Sequence, residues 1–223
     1  GQLTMSDSVV SSNTAGDGAP GGDGGGIYSQ GLVEVISTTL TDNAAGAGLL
    51  VYSTEPPYSP GPNGASGGKG GGIAVWNSVL HLSSSLVVGN LAGGGADGLG
   101  LPQSLSLENS PSVQSWGQPA KGALDPQSRI GGSGGSGGYG GGISATLSSI
   151  AIDRSAIDSN RSGDGGKGGW GYTVCGDGGR GGSGGGVFAG NGSYVRVQET
   201  TVAHNHSGDG GGPCEPIVVR SDP

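Results

Sequence analysis

The sequence predicts an all-β solenoid, a stack of about five similar rungs built from short parallel strands. Two observations carry this prediction: an eleven-residue frame that recurs five times without gaps, and a three-glycine motif that precedes four of its copies. A third observation is the composition, with 55 glycines and 12 prolines among 223 residues. That composition alone is typical of a disordered chain, and the repeat is what argues against disorder.

The frame has fixed chemistry at five of its positions. Positions one, three and eight are aliphatic or Met, position six is Ser or Thr, and position eleven is Asn. The copies read LTMSDSVVSSN, VEVISTTLTDN, LHLSSSLVVGN, IAIDRSAIDSN and VRVQETTVAHN at residues 3–13, 33–43, 80–90, 150–160 and 195–205. Positions one and three indicate a strand with one buried face, and position eight indicates a second short strand after a turn. Such a unit cannot bury its apolar face alone, so stacking is predicted.

Stacked rungs place equal frame positions above one another, at about 4.8 Å per rung. We therefore expect a ladder of side-chain amides and a second ladder of hydroxyls at position six. Contact with a ligand is the alternative for both columns. The expected amide ladder consists of Asn13, Asn43, Asn90, Asn160 and Asn205.

The glycine-rich insertions all fall between a frame asparagine and the next three-glycine motif. From that asparagine to Ile27, Ile73, Ile143 or Val187, which follow the motif, the gaps are 14, 30, 53 and 27 residues. The long insertions cover residues 44–69, 91–139 and 161–183 of what we expect to be one domain, 1–223. Length thus varies at one corner of the solenoid, where repeat proteins often bind partners.

Several insertions have a period of three residues, as in GGSGGSGGYGGG at residues 131–142. Flexible linkers are one interpretation. The other is a packed layer of polyproline-II-type glycine helices, which have three residues per turn and no internal hydrogen bonds. We favour the packed layer because neighbouring rungs bring these segments side by side.

A resemblance follows from the motif GGG[IV] and its closing element [LIV]xxN, as in residues 140–143 with 157–160. It resembles the GGA[ILV] and FxxN repeats of chlamydial polymorphic outer membrane proteins, and the repeats of autotransporter-type bacterial surface proteins. The resemblance implies an exported, surface-displayed, right-handed parallel β-helix, often an adhesin, with no catalytic site to carry over. Two departures are the missing aromatic of FxxN and the longer insertions. The expected packed layer of glycine segments resembles that of glycine-rich phage tail-tip adhesins, which are the second family considered.

Six aromatic residues fall in insertions and are the candidate binding residues. Aromatic rings on a polar surface can stack on sugar rings or anchor a partner, and the alternative is that they shield the glycine layer. They are Tyr52, Tyr58, Trp116, Tyr139, Trp170 and Tyr172.

Metal and disulfide chemistry is sparse. Asp17, Asp164 and Asp209 share an offset of four residues after their asparagines and are weak Ca²⁺ candidates, with turn formation as the favoured alternative. No other cofactor is expected. Cys175 and Cys214 both lie in the insertion corner of consecutive rungs, so we expect them to form a disulfide in an oxidising compartment.

Charge and hydropathy exclude several function classes. The net charge of −8 argues against nucleic acid as a partner, and no apolar stretch approaches the roughly 18 residues of a membrane span. The outward frame positions are mostly Ser and Thr and carry no carboxylate cluster of the kind found in polysaccharide-active β-helix enzymes. An ion pair between Arg154 and Glu199 in adjacent rungs is expected instead.

These observations predict a non-enzymatic extracellular structural or adhesive protein, at a bacterial cell surface. Uncapped solenoid ends suggest homo-oligomers or filaments by end-to-end stacking. Alternatives are a carbohydrate-binding or phage-type adhesin that uses the aromatic loops and, less favoured, a polysaccharide-active enzyme or an ice-binding surface. The chain begins in mid-repeat, so we expect a mature or trimmed segment of its parent.

Overall fold

The computed structural model describes residues 1–50, 61–100, 130–171 and 174–214, and within them it is all-β. No helix occurs in these ranges, so none there is long and apolar enough to cross a membrane. The strands are β1 Gln2–Ser6, β2 Val9–Ser11, β3 Ile27–Ser29, β4 Leu32–Ile36, β5 Thr39–Thr41, β6 Ile73–Trp76, β7 Val79–Ser83, β8 Leu86–Val88, β9 Ile143–Thr146, β10 Ser149–Asp153, β11 Ala156–Asp158, β12 Val187–Gly190, β13 Tyr194–Gln198 and β14 Thr201–Ala203.

The strands form three parallel sheets that the chain visits in turn. The first sheet has the order β1-β4-β7-β10-β13, the second β14-β11-β8-β5-β2, and the third β12-β9-β6-β3. Each strand pairs in register with its counterpart one rung away, as Ile150 does with Leu80 on one side and Val195 on the other. The predicted all-β stack of parallel strands is therefore confirmed.

The frame also locates the core. Positions one and three of each copy point inward from the first sheet, and position eight points inward from the second. In the middle rungs these side chains are at most 1% exposed, and the residue after each three-glycine motif in those rungs is buried with them. Burying one such aliphatic side chain contributes roughly 1.5–3 kcal/mol, so a few aliphatic residues suffice for a narrow core. The fully buried aliphatics are Val33, Val35, Leu40, Ile73, Leu80, Leu82, Val87, Ile143, Ile150, Ile152 and Ile157.

Residues with positive φ occupy most of the corners between sheets. Frame position five provides such a residue between the first and second sheets, and position ten after the second sheet. Gly tolerates this left-handed conformation best because it has no Cβ, and Asn and Asp tolerate it because their side chains can bond locally. The corner between the third and first sheets uses Asn77, Leu147 and Asn191 in successive rungs. Leu147 is the one apolar residue among them and is 55% exposed.

The insertions extend as segments that leave and re-enter the stack. Outgoing segments follow each frame asparagine at residues 14–18, 44–48, 91–99, 161–169 and 206–212, and returning segments cover residues 20–23, 61–69, 131–139 and 174–183. They alternate in space and hydrogen-bond to each other through the backbone. Gly138 N–H donates to Gly93 O at 2.8 Å, and Gly163 N–H donates to Gly138 O at 3.0 Å. We call these segments the glycine layer.

The layer has a period of three along each segment. Outgoing residues Gly93, Ala96 and Leu99 pair with returning residues 138, 135 and 132, so an outgoing and a returning segment run antiparallel and exchange one bond every third residue. One complete column of such bonds crosses nine segments through Gly16, Gly22, Gly46, Gly68, Gly93, Gly138, Gly163, Gly182 and Gly208. Segments of the same direction also bond to each other, as Gly95 N–H does to Asp164 O at 2.8 Å. The described parts of the insertions are thus packed against each other, and not free coils.

Glycine is required in these columns because the backbones approach too closely for a side chain. A Cβ on Gly138 would overlap the carbonyl oxygen of Gly68, and one on Gly163 would overlap that of Gly93. Every third position, by contrast, faces out of the layer and carries the side chains, such as Ser133, Ser136 and Tyr139 in one returning segment. This explains the GGx pattern of the sequence.

Candidate functional site

The frame asparagines form a continuous ladder. Nδ2 of Asn43 donates to Oδ1 of Asn90 at 3.0 Å, and the backbone N–H of Asn43 donates to the same oxygen at 3.0 Å. A second Nδ2 bond reaches the carbonyl of the preceding rung, as from Asn160 to Val87 O at 2.9 Å. The amides of the middle rungs are buried and fully engaged with their neighbours. This geometry fits the ladder interpretation and leaves these amides no free group for a ligand.

Two hydroxyl ladders run parallel to it. At frame position six, Oγ of Ser155 accepts the backbone N–H of Ser85 at 3.1 Å, and the other rungs repeat this bond. A further ladder lies at the corner between the third and first sheets, where Ser148 Oγ accepts Ser78 N–H at 3.2 Å. Sequence reasoning missed this one because it lies outside the frame. The serines that precede β7, β10 and β13 were its signal.

The three aspartates considered for Ca²⁺ lie on outgoing segments and bind protein groups. Oδ1 of Asp17 accepts the backbone N–H of Ala47 at 2.7 Å, and Oδ1 of Asp164 accepts that of Asp209 at 2.7 Å. Arg161 donates to both oxygens of Asp164, at 2.8 and 2.6 Å, and to Asp209 at 3.2 Å. In the described ranges no three His, Cys, Asp or Glu side chains gather in a way that could hold a metal ion.

The Arg161 guanidinium also sets the local titration. Its hydrogen bonds to Asp164 hold the pKa of that carboxyl below its ordinary value, and the same pair raises the pKa of Arg161. A second acid is affected at the rim of the second sheet. There His204 Nδ1 lies 2.8 Å from Asp158 Oδ1, and this hydrogen bond lowers the pKa of Asp158.

The expected pairing of Arg154 with Glu199 is wrong. Arg154 Nε donates to Oδ2 of its neighbour Asp153 at 2.8 Å, and its side chain is 61% exposed. Arg154 is a positive-φ corner residue, as is Glu199 at the equivalent position of the next rung. The lining of the shallow depression beside it includes Arg196 and Glu199.

The two cysteines are joined. Cys175 lies on a returning segment and Cys214 at the end of the described part of the last outgoing one, and a disulfide connects them across a Cα–Cα distance of 5.6 Å. The bridge ties two neighbouring segments of the glycine layer, as the sequence analysis expected.

Of the six candidate aromatics, the structure describes Tyr139 and Trp170. Tyr139 ends a returning segment, whereas Trp170 follows an outgoing segment and lies beside Gly100. The other four lie outside the described residues: Tyr52, Tyr58, Trp116 and Tyr172.

Tyr139 belongs to a groove between the returning segments and the third sheet. The groove has a volume of about 630 Å³, in the range of small-ligand sites. Its floor is the glycine backbone of three returning segments, and its walls carry Asp23, Tyr28, Lys69 and Tyr139, with Ser66 and Ser136 beside them. The ring of Tyr139 stacks on Phe188 with centroids 4.6 Å apart and an interplanar angle of 17°.

Sequence reasoning missed three exposed aromatics because it looked for them only in the insertions. Tyr28 and Trp76 come from the third sheet and are 47% and 50% exposed, and Tyr194 of the first sheet is 65% exposed. Tyr28 is part of the groove. Alternation after the three-glycine motif, which turns the second residue outward, was the signal that could have found Tyr28.

Comparison of the chain with protein-family models, with curated proteins and with solved structures finds no match.

Proposed function

We propose that this chain is a non-enzymatic extracellular structural or adhesive protein, a right-handed parallel β-helix that displays a polyglycine-II-like layer at one corner. The supporting observation is the continuous backbone hydrogen-bonding of nine glycine-layer segments on a ladder-stabilised stack. Such an array holds rows of side chains at fixed spacing, which suits a scaffold or a contact surface better than a reaction centre. Its period of three fits the polyglycine-II helix.

Extracellular placement is supported by the disulfide, since such bonds persist in oxidising compartments. In native protein isolated from its source, Cys175 and Cys214 are expected to resist alkylation until a reductant is added. Alkylation of both cysteines in unreduced native protein would contradict extracellular placement.

End-to-end self-association is the structural form of this proposal. The apolar core positions are covered in the middle rungs, but Val197 and Val202 of the last described rung are 47% and 53% exposed. A second copy stacked on such an edge would continue the sheets and ladders. Light scattering of the 223-residue chain at increasing concentration is expected to show growing assemblies, and a monomer throughout would contradict stacking.

Adhesion itself can be measured with beads that carry the purified chain. If the protein is adhesive, the coated beads should attach to whole cells more than bare beads do. If it is structural, the coated beads should attach to one another. Turnover of polyuronides or other polysaccharides by the same preparation would instead favour an enzyme.

A carbohydrate-binding adhesin is the second candidate function, favoured by one observation. Tyr139 and Tyr28 line one groove together with uncommitted polar side chains. A phage-type adhesin remains an alternative, and the glycine layer is the observation that supports it.

A further inference from the structure

We propose that the groove defined by Asp23, Tyr28, Lys69 and Tyr139 binds an uncharged saccharide. This inference rests on the proposed adhesive function and names its ligand class. Asp23, Lys69 and Tyr139 come from the outward row of three adjacent returning segments, and Tyr28 comes from β3 of the third sheet. The ligand class follows from four properties of the groove.

The first property is the pair of aromatic rings. Tyr28 is 47% exposed, and the Tyr139 ring is held in place by its stacking on Phe188. An aromatic face carries a partial negative charge and attracts the weakly positive C–H groups of a sugar ring. Tyr28 and Phe188 occupy the same row of the third sheet, three rungs apart. Ala74 and Ser144 lie between them in this row and are small and buried, so they separate the two aromatic side chains without filling the space between them.

The second property is a set of polar side-chain groups with no partner in the described residues. Lys69 Nζ, Tyr139 OH and the hydroxyls of Ser66 and Ser136 make no hydrogen bond or ion pair there. Oδ1 of Asp23 accepts the Lys69 backbone N–H at 2.8 Å, and its Oδ2 is left to accept a hydrogen bond from a ligand. Tyr28 OH accepts from Gln30 at 2.7 Å and keeps its own proton to donate.

The third property is a floor of glycine backbone whose amide N–H groups are already engaged. It is formed by Gly21, Gly67, Gly137 and Gly138. The floor amides are already engaged, as Gly21 N–H is with Ser66 O and Gly67 N–H with Ser136 O. The hydrogen bonds that a ligand on this floor accepts must therefore come from the side chains.

The fourth property is charge balance. Asp23 and Lys69 occupy the same outward row in adjacent returning segments, so the groove carries one group of each sign, on a chain of net charge −8. An anionic ligand would gain little from such a groove. A sugar combines an apolar C–H face with several hydroxyls on one ring, and so matches both the aromatic rings and the uncommitted polar groups.

The test uses the whole chain and an array of neutral oligosaccharides, followed by saturation-transfer NMR with the best binder. Equivalent positions in other rungs suggest the variants. Tyr28→Ala copies Ala74 of the next rung, and Tyr139→Ser copies Ser183 of the next returning segment. Each is expected to weaken binding roughly three- to tenfold, because each removes one stacking face.

Two exposed aromatics outside the groove provide matched controls. Tyr194→Ser copies Ser149 and Trp76→Thr copies Thr146, and both are expected to leave binding unchanged. Circular dichroism and thermal unfolding verify that all four variants fold. The inference is overturned if no neutral saccharide binds, or if binding survives Tyr28→Ala and Tyr139→Ser in folded protein. In either case, adhesion of beads that carry the Tyr28→Ala or Tyr139→Ser variant would still support the proposed adhesive function.

Discussion

Asn90 donates from Nδ2 to Oδ1 of Asn160 at 2.9 Å, and the backbone N–H of Asn90 reaches the same oxygen at 3.0 Å. One amide oxygen thus satisfies two donors of the rung before it. Because every rung repeats the arrangement, the amide ladder holds the second sheet in register at the point where the chain leaves for the glycine layer.

Replacing Asn90 by Ala is expected to destabilise the protein by about 1–3 kcal/mol, since it leaves buried donors of Asn43 without an acceptor. Urea unfolding followed by circular dichroism measures the change. Asn13→Ala is the matched control, because Asn13 is exposed in the first rung and should cost less. Equal losses for the two variants would contradict a stabilising role of ladder burial.

Replacing Gly138 by Ala is expected to destabilise the glycine layer by about 1–3 kcal/mol, because the new Cβ would overlap the carbonyl of Gly68. Amide hydrogen exchange of the returning segments measures the loss of protection. Gly212→Ala is the control, since nothing lies within 4 Å of its added Cβ. Unchanged exchange in Gly138→Ala would mean that the segments are not closely packed.

Replacing Leu147 by Asn is expected to stabilise the protein by roughly 1 kcal/mol. Leu147 has φ 51°, a conformation that costs a residue with a bulky side chain roughly 1–2 kcal/mol and that Asn tolerates better. Asn77 and Asn191 already occupy this corner in the adjacent rungs. The midpoint of urea unfolding should rise. A fall would show that the exposed Leu147 side chain contributes more by packing than its backbone costs.

The stability of the protein is expected to fall on acidification below about pH 4, partly through Asp164. Arg161 lowers the folded-state pKa of Asp164 below its ordinary value of 3.8. The ion pair therefore stabilises the folded protein at pH values above about 3.8, and this contribution is lost as the pH falls through the folded-state pKa. Both side chains are partly exposed, so the effect is on the order of 0–1 kcal/mol.

Arg161→Gln tests this pH dependence. The variant should have a shallower loss of stability between about pH 4 and 2, since the pKa of Asp164 then lies nearer to 3.8. Arg154→Gln is the control, because it also removes one arginine from an ion pair with an aspartate but leaves Asp164 unaffected. Identical profiles for Arg161→Gln and the unmodified chain would rule out the proposed coupling.

The frame predicted the strands of the first two sheets because alternation is local. Leu80 and Leu82, two residues apart, point to the same side of any strand, and Val87 returns inward after a single turn residue. The third sheet was not predicted from sequence. Its strands are three or four residues long and begin directly after glycines, so β3 offers too few residues for a period to be recognised.

The groove was predicted only in part. Tyr139 was chosen for its place in an insertion, but Tyr28 and Lys69 are 111 and 70 residues away from it in the chain. No local pattern relates them. They meet because the returning segments stack rung on rung, and the number of residues in each insertion does not affect that alignment.

The sequence by itself determined the rung. Its apolar spacing, its closing asparagine and its GGx period each reflect a local requirement: one buried face, one satisfied corner, and close approach of backbones at every third residue. The tertiary structure decided which segments became neighbours: the antiparallel alternation of the glycine layer, the Tyr139–Phe188 stack and the Arg161–Asp164–Asp209 cluster. Apart from the Arg161–Asp164 pair, whose residues are three apart in the chain, these contacts join residues from different rungs. Their partners are therefore fixed by stacking and not by distance along the chain.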